Sequence, residues 1–416
     1  MSKLKILKNS SIYLGSSVIN KAIPFLLLPV MTTYLSPEDY GSLSLFSTLV
    51  LFSSALVGMA IHTNVSKYYY SVSKEILAIY IGNVLMILSG SFLFYFSLVL
   101  LLSLFYNQLF SIPIQWIIAI PAISLFMMVN NINTTILRNE GRAKLYGLYE
   151  ISVTFVNMAV TIFLLVVMSF GWYSQAFGIL ISYFLFFTIG LFYMYKRSYI
   201  NIVPDKEKLR SILKISIPLV PHIVGAAVLN LSDRMFIERM VSLKEVGIYS
   251  VGYMFGMVVM LFSDAFIKAW SPWFYKSLTT PTEAVKKSIV KYSLLYIAAI
   301  FLLAIFISFL GKMILPYFVE EEFYGASKYI FWIAIGYAVF GVYQIFFPYL
   351  VHINRTSFLA FSTTLAAILN LLFNYFFIGY FGTIGAAYAT VAAFTVSASL
   401  VFFYTSKKYP MPWFKS

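Results

Sequence analysis

Residues 76–105 read ILAIYIGNVLMILSGSFLFYFSLVLLLSLF, a run of 30 residues without one Asp, Glu, Lys, Arg or His. At a helical rise of about 1.5 Å per residue, about 20 apolar residues cross the hydrocarbon core of a bilayer. The whole chain shares this character, because 61% of its residues are hydrophobic and only 11% are charged. A soluble domain is about 45–50% apolar and about 25% charged. The sequence therefore predicts an integral membrane protein rather than a large soluble enzyme.

Apolar runs of this length recur along the chain. A β-barrel is disfavoured, because its strands would alternate polar and apolar residues over about 10 positions. We therefore predict an all-α integral membrane protein with twelve transmembrane helices. Their cores lie near residues 11–35, 42–65, 76–105, 114–137, 145–168, 174–195, 213–240, 247–267, 289–311, 327–351, 358–378 and 384–405.

The distribution of Lys and Arg supports this count and orients the helices. If both termini are cytoplasmic, 23 of the 29 Lys and Arg residues fall in inner segments, and only Lys244, Lys312 and Lys328 fall in outer ones. Such a bias is typical of loops on the cytoplasmic side. It also accounts for the net charge of +14 without a nucleic-acid partner. We expect a multi-pass protein of the bacterial cytoplasmic (inner) membrane with both termini in the cytoplasm.

Residue types that bind metals or form covalent intermediates are scarce. The chain has no Cys, which excludes disulfides and cysteine metal sites, and its three His residues are far apart in sequence. We therefore predict no metal, no cofactor and no catalytic residue.

The chain divides into two similar halves. The polar segment 196–214 has six predicted helices on each side, which predicts an N-terminal lobe at 1–200 and a C-terminal lobe at 201–416. The stretch LSPEDYGSLS at 35–44 is echoed by VSLKEVGIYS at 241–250, after the first helix of each half. In both stretches a serine is an N-cap candidate for the next helix. These echoes predict two six-helix lobes related as parallel repeats, since internal duplication is common in transporters.

Three segments resemble a known family. They are LPVMTTYLSPEDYGSLSLF at 28–46, ISIPLVPHIVGAAVLNLSDRMFIERMVSLKEVGIYSVGYMF at 215–255, and YFGTIGAAYATV at 380–391. They are similar to the Wzx-type flippases of lipid-linked oligosaccharides, in the multidrug/oligosaccharidyl-lipid/polysaccharide superfamily. The resemblance implies a MATE-like fold whose two lobes face a central cavity that opens alternately to either side.

Charges inside predicted helices mark candidate site residues, since each costs about 2.5–3.5 kcal/mol at mid-membrane and usually faces a cavity or a partner. Lys21 lies near the middle of the first helix, and Arg234 and Arg239 lie in the seventh. We predict these three as substrate-binding cations. A polar stripe follows the seventh helix, where Arg234 can also pair with Glu238 four residues later. Its members are His222, Asn230, Asp233, Arg234 and Glu238.

Two further helices carry polar residues at helical spacing. The fifth has Glu150, Thr154, Asn157 and Thr161, and the eleventh has Asn370. We predict that three of these residues line the cavity together with four of the polar stripe: Glu150, Asn157, Asn370, His222, Asn230, Asp233 and Glu238. Hydrogen bonds between helices explain such residues equally well. Most of the many aromatic residues are assigned to lipid-facing surfaces and interfacial belts, and none is given a role in the site.

These features favour a flippase that moves an undecaprenyl-diphosphate-linked oligosaccharide from the cytoplasmic to the outer leaflet. The cations would attract the diphosphate, and hydroxyl and amide groups would accept the sugars. The partners implied are the lipid-linked substrate, membrane lipids, a polysaccharide polymerase and a chain-length regulator. A cation-coupled multidrug exporter on the same fold is the alternative. An enzyme is disfavoured, because the longest predicted outer loop, 312–326, offers only a run of glutamates at 320–322.

Overall fold

The computed structural model describes the backbone of residues 3–59, 61–279, 281–353 and 355–413. Within these ranges it does not describe the side chains of residues 3–11, 13, 14, 17, 18, 21, 62–64, 67, 222 and 356. The contacts within the chain define two compact units, Met1–Val224 and Gly225–Ser416.

The first unit consists of long apolar helices and one short hairpin. Helices α2 and α5 are its most buried spans, and α5 packs against α2, α3, α4 and α7. Helix α6 packs against both α1 and α7. The helices are α1 (Lys3–Tyr34), α2 (Pro37–Gly58), α3 (Ile61–Ser71), α4 (Lys74–Ser103), α5 (Ile114–Asn139), α6 (Ala143–Ile162), α7 (Tyr173–Lys196) and α8 (Lys206–Ser216), and the antiparallel hairpin is β1 (Gln108–Leu109) with β2 (Ile112–Pro113).

The second unit is built around one central helix. Helix α13 packs against α10, α11, α12 and α15, and α14 packs against α15. The helices are α9 (Val220–Met240), α10 (Leu243–Gly256), α11 (Val258–Ser277), α12 (Glu283–Phe318), α13 (Ser327–His352), α14 (Thr356–Phe381) and α15 (Ile384–Lys408). Helix α12 continues to Phe318 and a 3-10 helix spans Glu321–Ala326, so most of the predicted outer loop 312–326 is helical. Its apolar residues up to Phe318 simply extend the helical pattern.

The two units repeat one packing pattern. In the first, α5 packs against α2, α4 and α7, and in the second, α13 packs against α10, α12 and α15. The predicted N-caps are confirmed in both, because Ser36 Oγ accepts a hydrogen bond from Asp39 N at 3.1 Å and Ser242 Oγ accepts one from Glu245 N at 3.2 Å. The same capping chemistry thus starts the equivalent helix of each unit.

Helix α8 lies with the first unit, so the contacts divide the chain after Val224 rather than after residue 200. Asn83 on α4 explains this placement: its Nδ2 donates to the Val203 carbonyl at 2.9 Å and its Oδ1 accepts from Asp205 N at 3.0 Å. Asp205 also caps α8, and its hydrogen bond with the Lys208 ammonium lowers the pKa of its carboxyl. The polar composition of 196–214 indicates a connection but carries no sign of these contacts.

Ten helical segments among the described residues are long and apolar enough to cross a membrane. Helices α8 and α9, bent by 41° at their junction, make an eleventh if they form one broken span. The first predicted helix lies in α1, of which Ala22–Tyr34 is an apolar stretch too short for that count. The all-α membrane fold is confirmed, whereas the number twelve stays a prediction.

The turn between α14 and α15 generates a stability prediction. A methyl group at Gly385 would overlap the carbonyl of Phe377, a backbone group that cannot swing away. We expect Gly385→Ala to destabilise the protein by about 1–3 kcal/mol, as overpacking does. Gly90→Ala is the control, because apart from the adjoining residues and backbone of its own helix, a methyl group there would meet no described atom within 4 Å. Thermal unfolding in detergent measures both, and equal melting temperatures would contradict this packing.

Candidate functional site

Two buried charges lie side by side on α9. The residues Asp233 and Arg234 are 3% and 7% exposed, and Arg234 Nη1 lies 3.1 Å from Asp233 Oδ1. The same carboxylate oxygen accepts the backbone N–H of Arg234 at 2.9 Å. Removing either partner would leave an uncompensated charge in a low-dielectric interior, which costs about 3–5 kcal/mol.

Three tyrosines from neighbouring helices enclose this pair. The Tyr249 hydroxyl donates to Asp233 Oδ2 at 2.7 Å. The guanidinium carbon of Arg234 lies 4.3 Å from the centre of the Tyr253 ring, a cation–π distance. Tyr253 also shares a hydrogen bond with the Tyr337 hydroxyl. The Tyr253 hydroxyl also lies 3.2 Å from the Asn230 carbonyl oxygen, to which it can donate. We call this group the α9 cluster: Asn230, Asp233, Arg234, Tyr249, Tyr253 and Tyr337.

Two ion pairs lie along the polar stripe of α9. Arg234 pairs with the adjacent Asp233, and Arg239 pairs with the adjacent Glu238. Arg239 Nε lies 3.4 Å from Glu238 Oε2, with side chains 61% and 7% exposed respectively. A short aspartate can reach the guanidinium of the next residue while its other oxygen faces α10, which helical spacing alone does not reveal.

Asn370 contacts α9 from α14. Ser232 Oγ donates to Asn370 Oδ1 at 3.1 Å, and Asn374 Nδ2 donates to the same oxygen at 3.1 Å. Asn370 and Asn374 are at most 1% exposed. Here the structure shows the interhelical hydrogen bonding that was one of the two interpretations of the sequence.

Glu150 takes part in the corresponding contact of the first unit, between α1 and α6. Asn20 Nδ2 donates to Glu150 Oε2 at 3.3 Å, and Thr154 Oγ1 donates to Asn20 Oδ1 at 3.1 Å. Asn20 was not predicted, although it stands beside Lys21 in the sequence. Its partial burial next to a membrane carboxylate is visible only in the structure.

Asn157 faces α7 at a close helix crossing. Thr161 Oγ1 donates to its side-chain oxygen at 3.2 Å, and a methyl group at Gly178 would collide with both residues. Small residues that admit polar side chains are typical of packed membrane helices. Asn157 is therefore next to an interhelical contact.

Two predicted residues lie outside the described side chains: Lys21 on α1 and His222 on α9. The tyrosines of the α9 cluster were missed, because the aromatic residues were given no role in the site. Tyr249, Tyr253 and Tyr337 are at most 5% exposed. The sequence feature that could have indicated their role is the spacing of Tyr249 and Tyr253. They lie four residues apart on the helix after α9, and so share one face of it.

No group of three His, Asp or Glu side chains among those described lies close enough to hold a metal ion. The described site is therefore a set of buried hydrogen bonds and ion pairs. Such a set can bind or release charged groups when helices move, without covalent chemistry.

Sequence comparison relates the chain to polysaccharide synthesis. Residues 6–278 match the family described as "Polysaccharide biosynthesis protein". The chain is 25% identical over 386 residues to "Lsg locus putative protein 1" of Haemophilus influenzae, covering 88% of this chain and 90% of that protein. An "Uncharacterized membrane protein" of the same organism is 24% identical, over 88% of this chain and 89% of its own length.

Solved transporter structures share the fold. "Lipid II flippase MurJ, inward closed conformation" aligns with a TM-score of 0.70 and 16% identity, over 96% of this chain and 87% of that one. The inward-facing "multidrug resistance MATE family transporter of the MOP superfamily" aligns with a TM-score of 0.68 and 16% identity, over 94% of both chains. The protein therefore has the fold of the MOP superfamily, as its sequence predicted.

The α9 cluster generates a coupling prediction. We expect Tyr249→Phe to destabilise the protein by about 1–3 kcal/mol, because Asp233 loses a buried hydrogen bond. In an Asp233→Asn background the same change should cost less, giving a coupling of about 0.5–3 kcal/mol. Melting temperatures of the single and double variants measure the cycle, with the 80% exposed Tyr380→Phe as control. Strict additivity would contradict the contact.

Proposed function

The chain belongs to the polysaccharide biosynthesis protein family, and from this premise we propose that it is a flippase for a lipid-linked oligosaccharide. Its substrate is an undecaprenyl-diphosphate-linked repeat unit. The protein moves this substrate from the cytoplasmic to the outer leaflet of the inner membrane. The product serves the synthesis of O-antigen or another surface polysaccharide. The family match on a MOP transporter fold is the observation that carries this proposal.

A diphosphate cannot cross hydrocarbon unaided, so a flippase must offer it charge inside the membrane. Lys21 and Arg234 are the cations proposed for that task, and Arg239 extends the positive charge toward the end of α9. Guanidinium groups are well suited to phosphate because their donors form a planar fork. The polyprenyl chain stays in lipid throughout.

The geometry of the α9 cluster supports a counter-ion exchange at Arg234. Its guanidinium is 9% exposed and paired with Asp233, so phosphate has to compete with that carboxylate. If Arg234 turns to phosphate, Asp233 still accepts the Tyr249 hydroxyl at 2.7 Å and the Arg234 backbone N–H at 2.9 Å. These hydrogen bonds reduce the cost of leaving Asp233 without its guanidinium. After the phosphate leaves, Arg234 pairs with Asp233 again.

The remaining polar residues would serve the sugars and the conformational change. The amide groups of Asn157 and Asn370 lie at helix contacts within their own units, where a shift of one helix would alter their partners, and Asn230 bonds to its own helix. Glu150, held by Asn20, is the residue on which cation coupling would depend. Alternating access by rocking of the lobes is the movement expected of this architecture.

The alternative is a cation-coupled multidrug exporter, since a MATE transporter has the same fold. That class of substrate is cationic and favours carboxylates in the binding region. Here the α9 cluster pairs its one carboxylate, Asp233, with Arg234. The polysaccharide family match also favours the flippase.

We expect Lys21→Ala to abolish surface polysaccharide in a strain that depends on this chain, and Lys21→Arg to retain most of it, because phosphate needs the charge. Immunoblotting of membranes verifies equal insertion. Normal export by Lys21→Ala at natural expression would overturn the cation role.

Arg234 requires a test that separates function from folding. We expect Arg234→Lys, which keeps a charge opposite Asp233, to preserve the melting temperature more than Arg234→Gln does, yet to reduce export strongly because the planar fork is lost. Surface glycan and thermal stability are measured on the same variants. Full export by Arg234→Lys would contradict bidentate phosphate binding.

A further inference from the structure

Two apolar grooves flank the N-terminal half of α12 within the second unit. One, of about 570 Å³, lies between α11 and α12. The other, of about 410 Å³, is lined by α12, α13, α15 and Trp413. On α12 the first groove uses residues from Tyr292 to Ala299 and the second uses residues from Leu294 to Phe301, so both lie at the same depth.

The helical period places these linings on opposite sides of α12. At about 100° per residue, Tyr292, Leu295, Tyr296 and Ala299 fall within an arc of about 100°. Residues Leu294, Ile297 and Phe301 fall within about 60° on the opposite side. The α12 face between them on one side is packed, because Ile289, Ser293 and Ile300 are at most 3% exposed.

The other intervening face of α12 is exposed and basic. Lys287 and Lys291 are both exposed, and the helical period places them between the two arcs, just before both grooves begin. Lys276 continues the α11 side of the first groove and Lys407 continues the α15 side of the second, and both are exposed. Lys286, on the same turn as Lys287, is held by Glu283 at 3.0 Å. A basic rim thus stands above a pair of apolar grooves.

This arrangement matches an amphiphile with one anionic head and two apolar chains. A single polyprenyl chain would fill one groove and leave the other unused. Basic residues at the cytoplasmic ends of membrane helices attract anionic lipid headgroups. Trp273 and Tyr292, 38% and 50% exposed at the mouth of the first groove, have the amphipathic rings that favour headgroup depth.

We propose that the N-terminal half of α12 binds a two-chain anionic phospholipid of the cytoplasmic leaflet, with its phosphate at Lys287 and Lys291 and one chain in each groove. The leaflet follows from the orientation that the Lys and Arg distribution predicts. The proposal does not depend on the substrate of the flippase.

The test is lipid binding to the purified full chain, delipidated in detergent and titrated with phosphatidylglycerol or phosphatidylcholine in native mass spectrometry. We expect phosphatidylglycerol to bind more tightly. The double variant Lys287→Gln, Lys291→Gln should weaken the binding of phosphatidylglycerol by about tenfold or more, since each lysine near an anionic headgroup increases the affinity about fivefold. The matched control is Lys144→Gln with Lys196→Gln, exposed lysines of the first unit, which should change nothing.

Groove-filling variants test the two chains. Ala299→Phe fills the first groove, and Ser399→Phe fills the second. Each change should weaken the binding of phosphatidylglycerol by a larger factor than the binding of its single-chain lyso form. Equal binding of the two phospholipids, or unchanged binding in the lysine variant, would overturn the site. Displacement of phosphatidylglycerol by an equimolar polyprenyl phosphate would also overturn it, because the grooves would then belong to the transported lipid.

Discussion

The carboxylate of Asp233 lies 3.1 Å from the guanidinium of Arg234 on a helix that the sequence places inside the membrane. Charges in hydrocarbon are tolerated only with partners, and this requirement organises the second unit. Helix α10 supplies Tyr249 and Tyr253, and α13 supplies Tyr337. The central helix α13 is therefore linked to α9 through Tyr253 of α10, by polar contacts that an all-apolar core would lack.

The two units solve related problems with different residues. In the first, α1 and α6 are joined by Asn20 and Glu150, and in the second, α9 and α14 are joined by Ser232 and Asn370. The position of the contact is repeated, but among the described side chains a full ion pair lies only beside the second of these two contacts.

Apolar run length and Lys and Arg placement were enough to predict the membrane fold, and the segments 28–46 and 215–255 were enough to predict its superfamily. Both predictions rest on strong periodic patterns or on local signals such as the N-cap at Ser36. The Asp233–Arg234 ion pair was harder to predict, because the two residues are adjacent in sequence and the orientation of the aspartate depends on what α10 presents. Tyr249 escaped prediction for the same reason: a tyrosine facing lipid and one facing a buried carboxylate look alike in sequence. The placement of α8 depends on Asn83, more than 100 residues away in the chain.

The most direct measurement is transport by the purified protein in vesicles. Proteoliposomes would contain a fluorescent undecaprenyl-diphosphate-linked oligosaccharide, and a membrane-impermeant quencher would report how much has reached the opposite leaflet. The account predicts flipping that requires the protein, is lost in Lys21→Ala, and is not inhibited by cationic dyes. Transport of a cationic dye in such vesicles, with no movement of the lipid-linked oligosaccharide, would contradict it and favour the multidrug exporter.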